Sequence, residues 1–419
     1  MPTRTLFITN FYPPASRGGY EQWCQEVAEE LRQRGHDIIV LTSRHGLQEI
    51  TETEPAWIHR DLHLEMDIAS LKNGIQFFTH RKQREQENLY CLKQLIQEFS
   101  PDYILIWGMW NLSRSIPALA EKTMPGRVVY YMGDYWPTLP SQYQYYWEAP
   151  ARNGLTAIPK NILGPLALQI LAREKQPSLQ FSHVLFPTTF MCNEFKRNGV
   201  ELNQTKIIYG AVDTTLYRTQ NGNSVSKSHN GKLSLLYVGR LTHEKGIHTA
   251  LEALKILVDQ HGDHIAQLTI VGTGDTKYEN QLRQFAQDNG LELLVNFMGN
   301  QPKEAMPNIY RQADIFLFTS IWQEPFGRVL VEAMASGVVV IGTATGGASD
   351  ILKDHENGLV FLPDNAIDLV KKINCLIDKP QLRQIFAEAG RRTAFEKFDI
   401  QRMTSQIETY LQSIVEELR

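Results

Sequence analysis

Short apolar strands and amphipathic helices alternate along the chain, and this alternation is the strongest constraint on its fold. Residues 5–9 form a β-rich run, and Trp23, Val27 and Leu31 then recur with helical spacing. Residues 38–41 follow as a continuous apolar strand. A strand, a helix and a buried strand in this order predict a βαβ unit, in which helices cover both faces of a parallel sheet.

The same alternation continues to near the end of the chain. Further apolar runs predict strands at residues 103–106, 128–131, 184–186, 207–209, 233–238, 268–271, 294–298, 315–318 and 338–341. Residues 134–177 lack a clean period and are rich in Tyr, Trp and Pro. We predict a long irregular stretch there, whose aromatic side chains either line a ligand-binding wall or pack within the domain.

A polar stretch at residues 220–232, rich in Asn, Ser and Gly, divides the alternation into two halves and reads as a linker. We therefore predict an α/β protein of two Rossmann-like domains that face each other across a cleft. The N-terminal domain spans residues 1–219 and the C-terminal domain spans residues 220–399. An amphipathic helix at about 400–419 is expected to pack back on the N-terminal domain. Because open α/β sheets bind ligands at the carboxyl ends of their strands, such a cleft suits two substrates.

Composition excludes several other classes of protein. A formal net charge of −4 argues against a dedicated nucleic-acid binder. The four cysteines are scattered without a CxxC pair, which argues against a zinc site or a disulfide framework. Prolines break the N-terminal apolar run, and no run approaches the roughly 20 apolar residues that span a bilayer. We expect a cytoplasmic protein, with peripheral contact at the inner membrane face left open.

The densest chemical signal is QEPFGRVLVEAMASG at residues 323–337. Glu324 lies in a Pro/Gly loop after a predicted strand, and Glu332 lies two turns into the helix that follows. A helix N-terminus attracts anions, whereas the two carboxylates are suited to accept hydrogen bonds from hydroxyls. Phosphate held between hydroxyl-bearing groups describes a nucleotide sugar. The alternative is an acid that favours the helix dipole and a second, surface glutamate.

A second signal is VGRLTHEKG at residues 238–246, which presents Arg240 and Lys245 between a strand and a helix. A guanidinium fork and an ammonium both suit a diphosphate, although two solvated loop cations are the simpler alternative. His243 and His248 are five positions apart, and this spacing excludes the zinc motif whose histidines are four apart.

Glycine-rich turns give weaker signals. Ser16–Arg17–Gly18–Gly19, at the first strand-to-helix turn, allows a ligand phosphate to approach the backbone closely. VGTGD at 271–275 lacks the third glycine of a dinucleotide fingerprint, because position 277 is Lys. The chain also has no nucleophile elbow, no phosphate-binding P-loop and no Asp-x-Asp pair. We therefore expect neither a cofactor nor a metal site, and Arg240 and Lys245 would neutralise a departing nucleoside diphosphate.

Taken together, these segments resemble the retaining glycosyltransferases of GT-B fold that form family 4, the group 1 glycosyltransferases. The resemblance begins at YPP (12–14), continues through YGAVD (209–213) and is densest from residue 239 to 350. It implies that the N-terminal domain binds the acceptor and the C-terminal domain binds the nucleotide sugar. It also implies that Glu324 binds donor-sugar hydroxyls, that Glu332 binds the ribose diol, and that Arg240 and Lys245 clamp the diphosphate. The implied catalytic set is Glu324, Arg240, Lys245 and Asp134. The implied donor-binding set is Gly18, Gly19, Gly239, Phe326, Gly327, Arg328, Val329 and Glu332.

One position departs from the resemblance. Many relatives carry a histidine before the Asp of an HDYWP-like segment, whereas this chain has Gly133 before Asp134. Asp134 either serves as an acceptor-side hydrogen-bond partner or base, or stabilises a turn. The expected reaction is metal-independent, retaining transfer from a nucleotide sugar, UDP or GDP first, to a glycan, a lipid-linked sugar or a small molecule. A non-catalytic nucleotide-sugar-binding subunit and an epimerase on the same fold are the alternatives.

Overall fold

The computed structural model describes residues 2–15, 18–46, 54–68, 70, 72–151, 154–218 and 231–418. The chain divides into two compact units. Unit 1 comprises Met1–Pro187, Cys192–Ile208 and Thr404–Arg419, and unit 2 comprises Thr188–Met191 and Tyr209–Met403. Each unit is described separately below.

Within the described residues, unit 1 contains a seven-stranded sheet with the order β3-β2-β1-β4-β5-β6-β7, in which neighbouring strands are parallel. Its strands are β1 (Arg4–Ile8), β2 (Asp37–Ser43), β3 (Ile58–Leu62), β4 (Tyr103–Ile106), β5 (Val128–Tyr131), β6 (His183–Phe186) and β7 (Gln204–Ile207). The helices of this part of the chain are α1 (Gly19–Gln33), α2 (Asn73–Thr79), α3 (Arg81–Phe99), α4 (Ser115–Thr123), α5 (Gln142–Glu148), α6 (Gly154–Arg173) and α7 (Thr189–Arg197).

In the described part of unit 2, a six-stranded parallel sheet has the order β10-β9-β8-β11-β12-β13. Its strands are β8 (Leu233–Val238), β9 (Ala266–Val271), β10 (Val295–Gly299), β11 (Ile315–Phe318), β12 (Val339–Gly342) and β13 (Leu359–Val360). The helices that follow β8 in the chain are α8 (Ile247–His261), α9 (Thr276–Asp288), α10 (Met306–Arg311), α11 (Arg328–Ala335), α12 (Ala348–Ile351), α13 (Ala366–Asp378), α14 (Gln381–Lys397) and α15 (Ile400–Leu418).

Both sheets place their first strand beside their fourth, which is the strand order of a Rossmann fold. The prediction of two Rossmann-like α/β domains is confirmed. The central strands β4, β5 and β11 are buried along their whole length. Because helices cover both faces of such a sheet, these strands are continuous apolar runs rather than alternating ones.

Two short strands were not predicted. β3 (IHRDL) and β13 (LV) both lie at the edge of a sheet. β3 buries only two of its five residues, and β13 has only two residues, so neither produces an apolar run. The strand predicted at 207–209 lies earlier, at Gln204–Ile207. The predicted linker falls largely outside the described residues, which resume at residue 231.

The prediction of an irregular stretch at residues 134–177 is wrong. The structure has a 3-10 turn at Trp136–Thr138, followed by α5 and α6. The apolar residues of α6 are spread around the helix, so the sequence shows no amphipathic stripe. Tyr143 and Trp147 of α5 are buried in one cluster with Met66 and Phe77, which is the packing alternative.

The C-terminal helix α15 begins in unit 2 and continues into unit 1. Within unit 1, the hydroxyl of Tyr410 lies 3.1 Å from Nδ1 of His183 on β6. Glu408 contacts two residues at the end of α1: its carboxylate pairs with Arg34 at 3.0 Å and with Nε2 of His36 at 3.1 Å. No helix in the described part of the chain is both long and apolar enough to cross a membrane.

Candidate functional site

Hydrogen bonds join the loop after β8 to the segment after β11. The strands β8 and β11 are neighbours in the sheet of unit 2. The hydroxyl of Thr319 donates to the carbonyl oxygen of Lys245 at 2.8 Å. The amides of Ile321 and Trp322 both donate to the carbonyl oxygen of Glu244, at 3.0 and 3.1 Å. Gly246 has a φ of 65°, and a side chain there would overlap the carbonyl of Thr319. Glycine therefore permits the close approach that brings the two loops together.

This approach pairs the two oppositely charged residues that carry the strongest sequence signals. Nζ of Lys245 lies 2.5 Å from Oε1 of Glu324, and the hydroxyl of Ser320 donates to the same oxygen at 2.7 Å. The side chains are only 18% and 11% exposed, respectively. Each charge has lost most of its water, and the ion pair and the Ser320 hydrogen bond compensate for part of that cost.

The backbone around Glu324 is held by a second glycine turn. Gly346 has a φ of 59°, and a Cβ there would lie 2.5 Å from both the amide nitrogen and the carbonyl oxygen of Glu324. The amide of Gly347 donates to that carbonyl at 2.5 Å. The hydroxyl of Thr188 donates to the carbonyl of Pro325 at 2.9 Å. The Glu324 loop is thus fixed from several sides before any ligand binds.

Glu332 lies two turns along α11 and is only 9% exposed. The hydroxyl of Tyr310 donates to its Oε2 at 3.0 Å, and Nε of Arg328 lies 3.2 Å from its Oε1. Burial and the nearby Glu332 carboxylate both raise the pKa of Tyr310, so this residue remains a neutral donor. Each carboxylate oxygen keeps a further lone pair with which it can accept from a hydroxyl.

The start of α11 presents backbone rather than side chains. Gly327 is the N-cap residue and has a φ of 111°. The Phe326 ring is buried and packs against Phe398 at a centroid distance of 5.7 Å. The carbonyl of Val329 lies 3.5 Å from the hydroxyl of Tyr310. The main-chain contacts to a donor that the resemblance implies for these residues stay a prediction.

Arg240 is less constrained than Lys245. It is exposed, and its carbonyl oxygen accepts from the hydroxyl of Tyr237 at 2.9 Å. Burial alone would raise the pKa of nearby Glu244, but hydrogen bonds from its own amide and from Thr242, together with the charges of Arg240 and Lys245, lower it. The two cations therefore act on one patch of the loop, next to Gly239 at the end of β8.

Within unit 1, Asp134 follows β5 and is half-buried. Its Oδ1 accepts from the amide of Trp136 at 3.3 Å, which is the turn-stabilising alternative. Burial raises the pKa of Asp134 to about 7, the Trp136 hydrogen bond opposes this effect, and the charge of Glu21 adds to it. A carboxyl group with this pKa can exchange a proton near neutral pH.

The glycine turn after β1 is described only in part, because Ser16 and Arg17 lie outside the described residues. Gly18 is the N-cap residue of α1, which begins at Gly19. The atom nearest to a Cβ on Gly18 would be Oε2 of Glu21, at 3.9 Å. The described part of the chain therefore leaves the solvent side of Gly18 open.

Two family models together match most of the chain. The model of Glycosyltransferase Family 4 matches residues 17–216, and that of Glycosyl transferases group 1 matches residues 221–393. The chain belongs to the group 1, family 4 glycosyltransferases. The two matches meet close to the stretch that the sequence analysis interprets as a linker.

Curated relatives of this group 1 glycosyltransferase are distant. Spore coat protein SA of Bacillus subtilis is 28% identical over 222 residues, covering 49% of this chain and 58% of the relative. A 42.6 kDa protein from the cps region of Klebsiella pneumoniae is 24% identical over 375 residues, covering 86% and 90%. The chain spans about half the length of the first curated relatives that it matches.

Solved structures agree on the fold. HepE from Anabaena in complex with UDP-glucose matches with a TM-score of 0.70 and 22% identity, covering 98% of this chain and 100% of HepE. Sucrose-phosphate synthase from Thermosynechococcus elongatus matches with a TM-score of 0.71 and 17% identity, covering 99% and 100%. The two Rossmann-like units are thus those of a GT-B glycosyltransferase.

The departure at Gly133 has a structural counterpart. The Tyr20 ring fills the space beside this glycine, because a Cβ there would lie 2.5 Å from Cδ2 and 3.1 Å from Cζ of Tyr20. The Tyr20 hydroxyl lies within hydrogen-bonding reach of the carbonyl oxygens of Trp107, at 2.9 Å, and of Tyr131. A larger residue at position 133 would require the ring of Tyr20 to move.

Histidines and acids give no sign of a metal centre in the described ranges, where no group of three or more His, Cys, Asp and Glu side chains could hold an ion. The rings of His243 and His248 stack at 4.7 Å. His248 also bridges the hydroxyl of Tyr278 at 2.6 Å and Oδ1 of Asp364 at 2.8 Å. These contacts assign His248 a structural role.

Several supporting residues were missed by the sequence analysis. Ser320 precedes Glu324 by four positions, and its role follows from the hydrogen bond that its hydroxyl donates to the Glu324 carboxylate. Tyr310 lies on α10, 22 positions before Glu332, and nothing in its local sequence marks it. Thr188 comes from a distant part of the chain. Only the folded arrangement shows that these residues orient the predicted carboxylates.

Proposed function

We propose that this protein transfers a sugar from a nucleotide-sugar donor to a hydroxyl acceptor, with retention of anomeric configuration and without a metal ion. The observation that carries the proposal is the shielded ion pair between Lys245 and Glu324, with Glu332 further along the adjoining helix. Family membership supports sugar transfer. UDP is the first donor nucleotide to test, because the matching HepE structures hold UDP or UDP-glucose.

The ion pair suits a site that alternates between empty and donor-bound states. Without a donor, Lys245 and Glu324 neutralise each other. A diphosphate gives the Lys245 ammonium a more highly charged partner, and Glu324 is then available to accept hydrogen bonds from hydroxyls of the transferred sugar. Glu332, oriented by Tyr310 and Arg328, would accept from the ribose diol.

The proposed reaction proceeds on one face of the donor sugar. The bond from the anomeric carbon to the diphosphate oxygen breaks, and a bond to the acceptor oxygen forms on the same side. The acceptor proton passes to the departing phosphate oxygen. Lys245 and Arg240 would stabilise the charge that develops on the leaving group, which is the type of interaction that most strongly lowers a transfer barrier.

Asp134 is proposed to act on the acceptor side. When ionised, its carboxylate would accept a hydrogen bond from the attacking hydroxyl, and the amide of Trp136 orients one of its oxygens. The Tyr20 ring fills the space beside the preceding residue, Gly133. Gly133 also favours a second candidate function, a subunit that binds a nucleotide sugar without transferring it.

The test is the release of nucleoside diphosphate from UDP-, GDP- and ADP-sugars in excess EDTA, first alone and then with a mixed acceptor extract. We expect release from one donor that persists in EDTA and rises with acceptor, and NMR of the product should show the donor's anomeric configuration. Thermal stabilisation by one donor without any release would instead support the binding subunit. Release that EDTA abolishes would refute metal independence.

A further inference from the structure

A polar cavity of about 420 Å³ lies entirely within unit 1, and none of the proposed donor-binding or catalytic residues lines it. Its walls come from the segment after β3, the start of α3, the loop between β4 and α4, the start of α5 and the end of α6. The volume is typical of small-molecule sites, which range from about 300 to 1,000 Å³. The segments after β3 and β4 follow the carboxyl ends of their strands, the edge at which open α/β sheets bind ligands.

Two carboxylates in this cavity each have one oxygen engaged and one oxygen that accepts from no described group. Oε2 of Glu65 accepts from the amide of Gln142 at 2.8 Å. Oε1 of Glu85 accepts from the hydroxyl of Ser113 at 2.9 Å and from that of Ser115. The remaining oxygens, Oε1 of Glu65 and Oε2 of Glu85, are therefore acceptors without a donor among the described residues.

The two guanidinium groups at the cavity are already paired. Arg81 forms a bidentate contact with Glu174 at 2.5 and 2.7 Å, and Arg84 forms one with Asp67 at 3.0 Å for both bonds. Both pairs are bidentate, so a phosphate or a carboxylate would have to break two hydrogen bonds to use either fork. An anionic ligand would also meet the carboxylate of Glu85. Lys82 and Lys175 also line the cavity, but both are exposed, so water screens their charges. The cavity therefore suits a neutral ligand with many hydroxyl donors.

Glu65 adds to this preference. Burial raises its pKa to about 7, the hydrogen bond from Gln142 lowers it, and the nearby Glu85 raises it further. The group is therefore partly protonated at neutral pH and can donate as well as accept. A sugar hydroxyl has the same double character.

We propose that this cavity binds the acceptor, and that the bound part of the acceptor is a neutral carbohydrate whose hydroxyls donate to Glu65 and Glu85. This inference rests on the proposed function, since it takes the ligand to be the acceptor of the sugar transfer. It narrows the acceptor from any hydroxyl compound to one that carries at least one neutral sugar.

The experiment measures binding of methyl glycosides to the full chain by saturation-transfer NMR and calorimetry, without a donor. The probes are the methyl glycosides of glucose, galactose and mannose, their disaccharides, and methyl glucuronide as the anionic comparison. We expect at least one neutral glycoside to bind, and the glucuronide to bind at least tenfold more weakly than its neutral counterpart. Absence of binding by every neutral glycoside, or preference for the glucuronide, would overturn the inference.

Three variants locate the binding. Glu85→Gln replaces a charged acceptor by a neutral amide of the same shape, and Gln86→Trp fills the cavity from an exposed position on α3. Glu98→Gln is the matched control, because it makes the same charge change at an exposed position of the same helix. We expect the first two to weaken binding at least tenfold and the control to leave it unchanged. Equal binding by all three would refute the site.

Binding of UDP-glucose by the same preparations separates this inference from the proposed function. Donor binding and nucleotide release without any glycoside binding would refute the assignment of the cavity as an acceptor site but support the proposed transferase function. The opposite result is glycoside binding that the two cavity variants weaken, with no affinity for any nucleotide sugar. It would support a carbohydrate site in the cavity and refute the proposed transferase function.

Discussion

Lys245→Ala is the substitution whose consequences the structure defines most sharply. It leaves the carboxylate of Glu324, 11% exposed, with Ser320 as its remaining side-chain donor. Breaking a fully buried pair costs about 3–5 kcal/mol. Because both side chains keep some contact with water, we expect a smaller loss of unfolding free energy, about 2–3 kcal/mol. The assay is urea denaturation followed by circular dichroism.

The same substitution removes a cation from the leaving group. Loss of one preorganised donor to a developing charge lowers kcat by about 10²–10³-fold. The double variant Lys245→Ala/Glu324→Gln separates the two effects. It removes the stranded charge, so stability should recover while turnover stays low. The control is Lys255→Ala, which breaks an exposed pair with Asp259 within α8 and should change neither quantity appreciably.

Two results would refute this reasoning. One is turnover of Lys245→Ala within threefold of the wild-type value, measured as nucleoside diphosphate released per folded molecule. The other is a double variant that is no more stable than Lys245→Ala, because the stranded carboxylate would then not be the source of the instability.

Three further predictions follow from other parts of the molecule. Glu332→Gln should raise KM for the donor about tenfold, which corresponds to about 1.4 kcal/mol, roughly the loss of one charged hydrogen bond. The control Glu292→Gln, at an exposed position, should leave KM unchanged, and equal KM values in both variants would contradict the ribose contact. Gly133→Ala should lower Tm, because its Cβ would lie 2.5 Å from Cδ2 of Tyr20, and an unchanged Tm would show that the ring gives way freely. The pKa of Asp134 is raised from 3.8 to about 7 in the folded protein, so the folded state binds the proton of this carboxyl more tightly than the unfolded state does. The contribution of Asp134 to the free energy of unfolding therefore falls as pH rises from about 4 to 7. Asp134→Asn should therefore raise the urea midpoint at pH 8 more than at pH 4, and an equal change at both pH values would contradict the assigned pKa.

Much of the fold could be predicted because its central strands are buried on both faces. The apolar runs at residues 103–106, 128–131, 233–238 and 315–318 coincide with β4, β5, β8 and β11. Edge strands β3 and β13 expose part of their residues and leave no such run. Helix α6 was missed for the opposite reason, since apolar residues on every side erase the helical period.

The candidate site was predictable as a set of residues but not as a geometry. Glu324, Glu332 and Lys245 were identifiable from charge type and from their position beside strand and helix ends. Their pairing was not, because the Lys245–Glu324 contact depends on neighbouring strands β8 and β11 carrying their loops to one edge. The hydroxyls that orient the carboxylates, such as that of Tyr310, follow from packing between elements that are distant in sequence.

The cavity of unit 1 was not predictable for a related reason. Its two open carboxylate oxygens belong to Glu65, after β3, and Glu85, on α3, and the rest of the lining comes from three other segments. No local pattern marks either residue. Which oxygen of each carboxylate is engaged depends on Gln142 and Ser113, which only the fold brings beside them.

The most direct test of the central claim is a crystal structure of the full chain with UDP-glucose, or with whichever donor releases its nucleotide. The account predicts a diphosphate oxygen about 2.7–2.9 Å from Nζ of Lys245. It also predicts the ribose hydroxyls on Glu332 and a hydroxyl of the transferred sugar on Glu324. A nucleotide bound elsewhere, with the Lys245–Glu324 pair still closed at 2.5 Å, would contradict it.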